Sequence, residues 1–451
     1  MPPQSVVLSL LIIFFSFGLC LGFYIEDKHN ETNYSSKQSV NVNDYGAIAN
    51  DGSDDTEAFE KTWNEACSRG ATLVVPKYSV YNLKPVKFSG PCKHHTSFKV
   101  YGTIKAWHDI SAYKHRGLWI MFDNVNNFVV NGGGVINGDG RKWWQNSCKV
   151  NKTLPCKQAP TSVIFSGCNN LKVKNVKFKN APQMHLRFDK CFNVKASKLV
   201  ITAPEHSPNT DGVHISGTRN MNIRNSVIGT GDDCISIVSG SHYIGATDIK
   251  CGPGHGINIG SLGAGNSEAL VSNVIVNRAT LTGSTNGVRI KSWQGGFGYA
   301  KNIKFLNIAM RNVTNPIIID QNYCDRKGPC PEQDSAVKIS NVVYKNITGT
   351  SASKVAIKFD CSKAVPCKGI QLKDVTLTSE NNGDTTATLS NLLVAPRPGH
   401  SWRLSEEVSR LSDIWRSSDK SKNCSAEPSG GSSPRPLLTL KRGGLSPNNL
   451  A

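Results

Sequence analysis

The sequence lacks the signals of several common protein classes. After residue 22 it has no apolar run long enough to span a bilayer. None of its cysteines are spaced C-x-x-C, so we expect no structural zinc site. No nucleic-acid-binding motif is present, although Lys and Arg number 52 against 33 Asp and Glu. We therefore expect no nucleic acid and no cofactor, and no membrane contact once an N-terminal signal is removed.

The N-terminal segment predicts a secreted protein. An apolar run from Val6 to Leu21 is followed by the acidic Glu26 and Asp27, which is typical of a cleaved signal peptide over residues 1–22. No Lys or Arg precedes the run, and an uncleaved anchor is the less favoured alternative. The polar residues 23–40 predict a mobile leader. Six glycosylation sequons agree with a secretory route: Asn30, Asn33, Asn151, Asn312, Asn346 and Asn423.

The cysteine spacing predicts disulfides, as expected for a secreted chain. Loss of Cys20 with the signal would leave thirteen of the fourteen cysteines. Cys424 has no obvious partner, and we expect it to be free or intermolecular. Three close pairs would each close a small loop and a fourth would join neighbouring turns of a repeat: Cys148/Cys156, Cys324/Cys330, Cys361/Cys367 and Cys234/Cys251.

A repeated short-strand motif dominates the chain. The motif is Asn-apolar-x-apolar-x-Asn-apolar-x-apolar, clearest in Asn170–Phe178, and its copies are 21 to 43 residues apart. A unit whose alternation buries one face must stack on its neighbours to fold. We predict an all-β, single-stranded, right-handed parallel β-helix, and not a leucine-rich repeat, whose leucine signature is absent. The copies start near Asn127, Asn170, Asn193, Asn220, Ser241, Asn273, Asn302, Ala336 and Gly369.

The boundaries of this solenoid follow from where the pattern begins and fades. A short helix over Thr56–Arg69, with apolar residues at helical spacing, is expected to cap its N-terminal end. The solenoid domain is predicted over residues 41–378. Residues 379–451 lose the alternation and gain Ser, Pro and Gly, so we expect an irregular, mostly disordered tail. Only Ser401–Ser417 within it has an amphipathic helical pattern.

Two further cysteines occupy equivalent places in the repeat. Cys168 and Cys191 each lie two positions before the first Asn of their copy. They should therefore stack on adjacent coils, about 4.8 Å apart. A disulfide is geometrically possible there, and a pair of buried thiols is an equally good interpretation.

Four polar clusters interrupt the repeat between residues 209 and 291. Each follows the strand motif of its own coil, as does Tyr323, so all should line one groove on the order of 20 Å long. That length fits a polymer, and the formal charge of +19 indicates an acidic polysaccharide, although a basic solvated surface would also explain many lysines. The clusters are Asn209-Thr210-Asp211, Gly231-Asp232-Asp233, Gly254-His255-Gly256 and Arg289-Ile290-Lys291.

The carboxylates in these clusters indicate general acid and base chemistry. Asp211 comes from the coil before Asp232 and Asp233, and Gly229-Thr230-Gly231 predicts a bend that presents both neighbours to one site. Crowding raises at least one carboxyl pKa, which keeps an acid protonated beside ionised neighbours. Carboxylates paired in this way hydrolyse glycosidic bonds. We assign Asp232 as the acid that protonates the leaving oxygen, and Asp211 and Asp233 as the groups that activate water.

The remaining polar residues are assigned to support and binding. His255 could tune the ionisation of the carboxylates or bind a sugar. Arg289 and Lys291 share a strand face and can grip a substrate carboxylate, while Tyr323 could hydrogen-bond to a sugar ring or pack on it. Each cluster alone is more often structural, since an Asp after Asn-Thr is usually a turn residue and an Asp-Asp pair is usually surface or calcium-binding. Their order and common face favour the joint interpretation.

The motifs Ser207–Gly212, Gly229–Cys234, Cys251–Gly256 and Arg289–Lys291 resemble, in this order, the four motifs of polygalacturonases of glycoside hydrolase family 28 in their plant form. The resemblance covers about residues 41–377. It implies metal-independent, inverting hydrolysis of α-1,4-linked galacturonan in an extracellular, cell-wall setting. It also implies catalytic roles for Asp211, Asp232 and Asp233, with His255 as essential support. The implied substrate contacts are Asn209, Arg289, Lys291 and Tyr323.

Several alternatives stay open. Endo action is favoured, but an exo-acting polygalacturonase or a rhamnogalacturonan hydrolase would share these residues. A β-helix that only binds pectin would need the cations and not Asp232. A pectate lyase would need calcium and a base for β-elimination. We expect a monomer, and the segment after Leu377 departs from the family pattern.

Overall fold

The computed structural model describes residues 38–393 except for 94, 326–329 and 381–384. Within that range the chain folds into a right-handed parallel β-helix with few helices, which confirms the predicted fold class. The signal peptide 1–22, nearly all of the leader 23–40, the amphipathic stretch 401–417 and Cys424 lie outside the described residues. No helix in the described ranges is both long and apolar enough to cross a membrane.

Short parallel strands make up most of the described chain. The helical segments are α1 (Thr56–Arg69), α2 (Arg141–Gln145) and 3-10 turns at Val42–Tyr45, Ile110–Ala112 and Ala264–Asn266. The strands are β1 (Ser39–Asn41), β2 (Thr72–Val75), β3 (Val80–Leu83), β4 (Val86–Ser89), β5 (Ser97–Val100), β6 (Thr103–Ala106), β7 (Leu118–Asp123), β8 (Val129–Asn131), β9 (Val135–Asn137), β10 (Thr161–Ser166), β11 (Asn169–Lys174), β12 (Lys177–Lys179), β13 (Leu186–Asp189), β14 (Phe192–Ser197), β15 (Val200–Thr202), β16 (Val213–Ser216), β17 (Arg219–Gly229), β18 (Ile235–Ile237), β19 (His242–Cys251), β20 (Ile257–Leu262), β21 (Glu268–Thr282), β22 (Asn286–Trp293), β23 (Phe297–Val313), β24 (Asn315–Tyr323), β25 (Lys338–Ser351), β26 (Val355–Asp360), β27 (Cys367–Ser379), β28 (Thr386–Ser390) and β29 (Leu392–Leu393).

The strands form two long sheets that run the length of the solenoid. Eleven strands form what we call the groove sheet: β4, β7, β10, β13, β16, β18, β20, β22, β24, β26 and β28. The other eighteen form the second sheet. In the early coils the second sheet has two short strands per coil, such as β14 and β15. From β17 onward each coil has one longer strand instead, and β17 pairs with both β14 and β15. Each coil therefore contributes one strand to the groove sheet, and either a pair of short strands or one long strand to the second sheet.

Asparagines explain why the repeat motif begins where it does. Asn170 and Asn193 have φ of 56° and 54°, in the left-handed region that Asn tolerates better than most residues. Their side chains also pair between coils: Asn193 Nδ2 donates to Asn170 Oδ1 at 2.7 Å, and Asn220 Nδ2 donates to Asn193 Oδ1 at 3.4 Å. Each asparagine thus fixes a backbone turn and tethers its coil to the previous one.

Two of the predicted copy starts were wrong. The copy expected at Ser241 aligns instead at Tyr243, which has φ of 59°, and the copy expected at Ala336 aligns at Asn341. The first copy was misplaced because Tyr243, and not an asparagine, occupies the turn position. The second was misplaced because the apolar alternation before Asn341 resembles the motif.

The solenoid also continues past the predicted boundary at residue 378. β28 pairs with β26, and β29 pairs with β27. All five residues of β28 are only half-buried. Their alternation is weak for that reason, which is why the sequence pattern ends too early.

The predicted helix α1 covers the N-terminal end of the core. Phe59 and Trp63 are fully or almost fully buried, and the Trp63 ring packs against Phe88 with centroids 5.3 Å apart. A disulfide between Cys67 and Cys92, which we did not predict, ties the end of α1 to the loop after β4. The two cysteines are 25 residues apart and lie outside the repeat, so the cysteine spacing did not predict this disulfide.

The remaining cysteines follow the sequence analysis. Cys168 and Cys191 are unpaired and buried, so the thiol interpretation is the correct one of the two. The four predicted disulfides are all present: Cys148–Cys156, Cys234–Cys251, Cys324–Cys330 and Cys361–Cys367.

Candidate active site

The four polar clusters meet on the groove sheet, three of them just before strands β16, β18 and β20 and the fourth within β22. Strand register aligns β16, β18 and β20 residue by residue. Asp211, Asp233 and His255 each lie two residues before the first paired residue of their strand. They are therefore stacked on three adjacent coils. Arg289 and Lys291 follow on the next strand, β22.

Asp232 and His255 form the closest contact in the site. His255 Nδ1 lies 2.9 Å from Asp232 Oδ1, and the His255 backbone N–H donates to the Asp232 carbonyl oxygen at 2.9 Å. Gly254, with φ of 131°, permits this approach, because a Cβ there would lie 2.5 Å from that carbonyl oxygen. Burial raises the pKa of Asp232, but hydrogen bonding and the charge of His255 outweigh it and lower the pKa overall. The hydrogen bond to Asp232 raises the pKa of His255.

Asp233 is the most buried of the three carboxylates, and two cations lie beside it. Asn258 Nδ2 donates to its Oδ2 at 2.8 Å, Lys291 Nζ lies 3.6 Å from Oδ2, and Arg289 Nη2 lies 3.7 Å from Oδ1. Burial raises the pKa of Asp233 to about 6 despite these cations, and the negative charges of Asp232 and Asp211 act in the same direction. The carboxyl of Asp233 therefore keeps its proton to a higher pH than an ordinary Asp does.

Asp211 is held by the next coil and by its own strand. Ser236 Oγ donates to Asp211 Oδ2 at 2.6 Å. His214 Nδ1 lies 3.4 Å from the same oxygen and 2.8 Å from Ser236 Oγ. The carboxylate is therefore anchored through Oδ2 by a three-residue network.

The predicted binding residues border these carboxylates. Asn209, with φ of 58°, places its Nδ2 3.4 Å from Asp232 Oδ2. The Tyr323 ring centroid lies 5.1 Å from Lys291 Nζ and 5.1 Å from the Trp293 ring. The structure therefore brings together all eight residues that the sequence analysis selected: Asn209, Asp211, Asp232, Asp233, His255, Arg289, Lys291 and Tyr323.

One group of side chains has the spacing of metal ligands. Ligand atoms of Asp232, Asp233 and His255 all lie within 4.8 Å of one another. A cation bound there would break the contact between Asp232 and His255 and would lie close to the positive charges of Lys291 and Arg289, which neighbour Asp233. Both effects disfavour a resident metal, and the hydrogen bond between Asp232 and His255 already accounts for their spacing.

Three supporting residues were missed by the sequence analysis: His214, Ser236 and Asn258. Strand register places them at one position of successive strands, and the same position on β22 holds Arg289. Two of them hold the carboxylates of the preceding coil, Ser236 for Asp211 and Asn258 for Asp233. The sequence alone did not identify them, because the register that aligns them with Arg289 is known only from the strand pairing.

Comparison with known proteins agrees with this geometry. The chain is 57% identical over 378 residues to polygalacturonase QRT2 of Arabidopsis thaliana, covering 83% of this chain and 86% of that protein. It is 58% identical over 355 residues to polygalacturonase-2 of Solanum lycopersicum, covering 78% of each. A solved polygalacturonase from Erwinia carotovora shares the fold with a TM-score of 0.65 and 24% identity, over 82% of this chain and 100% of that one.

The family comparison extends over most of the solenoid. Residues 67–396 match the glycosyl hydrolases family 28. The match includes the strands beyond residue 378 and every motif that borders the groove. The chain therefore belongs to glycosyl hydrolases family 28 and is a glycoside hydrolase.

Proposed function

We propose that the protein hydrolyses α-1,4-galacturonosidic bonds of homogalacturonan, the acidic backbone of pectin, in the extracellular cell wall. The observation that carries the proposal is the Asp232–His255 pair, which lies in one groove with two further carboxylates and the cations Arg289 and Lys291. Carboxylates supply the acid and base for glycoside cleavage, and the cations match a substrate that carries one carboxylate per sugar. The plant relatives bear the name polygalacturonase.

Asp232 is proposed to protonate the leaving oxygen. Its side chain is 18% exposed, against 11% for Asp211 and 4% for Asp233, so it has the best access to a bound polymer. The raised pKa of His255 means that this pair holds a proton at mildly acidic pH. As the glycosidic C–O bond breaks, Asp232 gives its proton to the departing oxygen, and His255 supplies that proton through their hydrogen bond.

Asp211 and Asp233 are proposed to activate the attacking water. The water oxygen forms the new bond to the anomeric carbon, and one of its protons passes to a carboxylate. The Ser236 and Asn258 contacts keep Asp211 and Asp233 oriented for this step. Attack from the face opposite the leaving group would invert the anomeric configuration.

Arg289 and Lys291 are proposed to bind a galacturonate carboxylate next to the cleaved bond. Their contacts with Asp233, at 3.7 and 3.6 Å, are longer than hydrogen bonds, and Arg289 Nε has no hydrogen-bond partner among the described residues. Donors therefore remain available to a ligand. Tyr323 and Asn209 would contact the sugars on the two sides of the site.

We propose endo action, in which the interior of a chain lies across the groove. Exo action would need one end of the groove to be blocked. Pectin binding without catalysis is an alternative that the assay below separates, and a rhamnogalacturonan hydrolase would leave polygalacturonate uncleaved.

The test is incubation of the purified protein with polygalacturonate, with and without a chelator. We expect new reducing ends, no unsaturated products, an early fall in viscosity and an inverted anomer in the first products by proton NMR. Unsaturated products that require calcium would indicate a lyase. Binding of polygalacturonate without new reducing ends would indicate an inactive pectin-binding protein. Light scattering of the same sample tests the expected monomer.

A further inference from the structure

A strongly basic surface lies on the second sheet, and the candidate active site does not use it. Three stretches form neighbouring strands there, residues 169–179, 192–202 and 219–229, and together they contain six lysines, two arginines and no Asp or Glu. All eight cationic residues are exposed. We call this surface the basic face, and its lysines are Lys172, Lys174, Lys177, Lys179, Lys195 and Lys198.

Strand register brings the charges of the basic face close together. Lys172 on β11 is aligned with Lys195 on β14, and Lys174 is aligned with Ser197 and then with Arg224 on β17. Neighbouring strands are about 4.8 Å apart, and alternate residues of one strand are about 6.7 Å apart. Like charges at these distances repel one another, so the basic face costs the folded protein some stability.

The lysines of the basic face are not neutralised by the protein itself. None of the six forms an ion pair with a carboxylate in the part of the chain that the structure describes. Asp248 on the neighbouring strand β19 is already held by Arg278, through hydrogen bonds of 2.7 and 2.9 Å. The lysines therefore remain available to an anion from outside.

The arrangement of these charges fits a linear polyanion. The cations are spread over three adjacent coils, and lysine is a flexible point charge that can follow carboxylates whose positions vary along a chain. The polymer proposed for the groove carries one carboxylate per sugar, so it has the required charge and length. The same coils contribute β10, β13 and β16 to the groove sheet, so a chain bound on the basic face leaves the groove open.

We propose that the basic face is a second binding surface for acidic cell-wall polysaccharide, on which a stretch of unesterified galacturonan is bound and not cleaved. The inference rests on the proposed function, because that function identifies the polymer. Binding at the basic face holds the enzyme on the polysaccharide matrix. It thereby raises the local concentration of the chains that the groove can reach.

The test measures how much Asp232→Asn, which leaves the polymer intact, is depleted from solution by insoluble polygalacturonate. Excess trigalacturonate is present to occupy the groove. Adding Lys172→Gln, Lys174→Gln and Lys195→Gln should weaken binding at low salt by about tenfold or more, and binding should become less sensitive to salt because fewer counterions are released. This face variant should be at least as stable as its parent in thermal unfolding, since it loses repulsion.

A matched control removes the same charge outside the basic face. It carries Lys77→Gln, Lys93→Gln and Lys354→Gln, three exposed positions in loops, and it should bind nearly as well as the parent. Equal weakening in the face and control variants would overturn the proposal, because net charge and not the basic face would then govern binding.

Unchanged binding of the face variant to polygalacturonate would also overturn the proposal. If that variant instead bound phosphatidylserine vesicles more weakly than its parent, the basic face would belong to an anionic membrane surface. A wild-type protein that does not cleave polygalacturonate refutes the proposed function alone, since the binding comparison needs no cleavage. If the face variant does not fold, Lys177→Gln with Lys179→Gln on β12 replaces it, with the same expected direction.

Discussion

The contact between Asp232 Oδ1 and His255 Nδ1, which are 2.9 Å apart, links the geometry of the site to its chemistry. The sequence predicts that crowding raises the pKa of at least one carboxyl, and it favours Asp232 as the acid. The structure instead raises the pKa of Asp233 and lowers that of Asp232. The two findings are compatible if His255 stores the proton that Asp232 delivers. Asp233 is also less exposed than Asp232, at 4% against 18%, so Asp232 is better placed to meet the leaving oxygen.

This arrangement predicts the pH dependence of kcat/KM. Asp233 must be ionised to activate water, so activity should fall as the pH drops below about 6, the raised pKa of this carboxyl. The proton of the pair is lost as the pH rises through the raised pKa of His255, so activity should fall again there. In His255→Gln the proton depends on a carboxyl alone, and the alkaline limb should move to lower pH. A pH profile with an unchanged alkaline limb in His255→Gln would contradict this assignment, and His242→Gln on β19 is the control.

The asparagine turns position the strands of the second sheet. Asn193 combines a left-handed backbone with hydrogen bonds to the asparagines above and below it. Because the turn fixes where each strand begins, it also sets the register that stacks the carboxylates on adjacent coils. The catalytic geometry therefore depends on residues far from the groove.

Replacing Asn193 by Ala or by Gly separates the two contributions of the turn. Both variants lose the inter-coil hydrogen bonds, but only Ala is strained at φ of 54°. We expect Asn193→Ala to be less stable than Asn193→Gly by about 1 kcal/mol in the free energy of unfolding. Urea unfolding at equilibrium measures the difference. An Ala variant as stable as the Gly variant would mean that backbone strain does not select asparagine here.

Particular residues show what the sequence could and could not predict. The asparagine turns and the four motifs recur at regular spacing, so the fold and the eight site residues could be found from the chain alone. His214, Ser236 and Asn258 could not, because their roles depend on which side chain faces them on the neighbouring coil. The Cys67–Cys92 disulfide was missed since it joins a helix to a loop outside the repeat.

The charge of the whole molecule should govern how the polymer arrives. A formal charge of +19 creates a positive field that attracts a polyanion over distances beyond the groove. The acids themselves are largely buried and are screened much less than the surface. Substrate capture and the chemical step should therefore respond differently to salt.

Activity at increasing sodium chloride concentration tests this separation. Between 0.1 and 1 M salt the Debye length falls from about 10 to about 3 Å, so KM for polygalacturonate should rise while kcat changes little. Steady-state kinetics at constant pH gives both values. A fall in kcat with a constant KM would contradict the prediction, because salt would then act on the acids and not on capture.

The most direct test of the central claim is the rate of reducing-end release from polygalacturonate by Asp232→Asn. The substitution removes the proton donor and keeps the size of the side chain. We expect kcat to fall by about 10² to 10⁴-fold, with the fold intact by circular dichroism. Asp248→Asn, which changes an exposed carboxylate of the second sheet paired with Arg278, should keep wild-type activity. Full activity in Asp232→Asn would contradict the assignment of Asp232 as the acid.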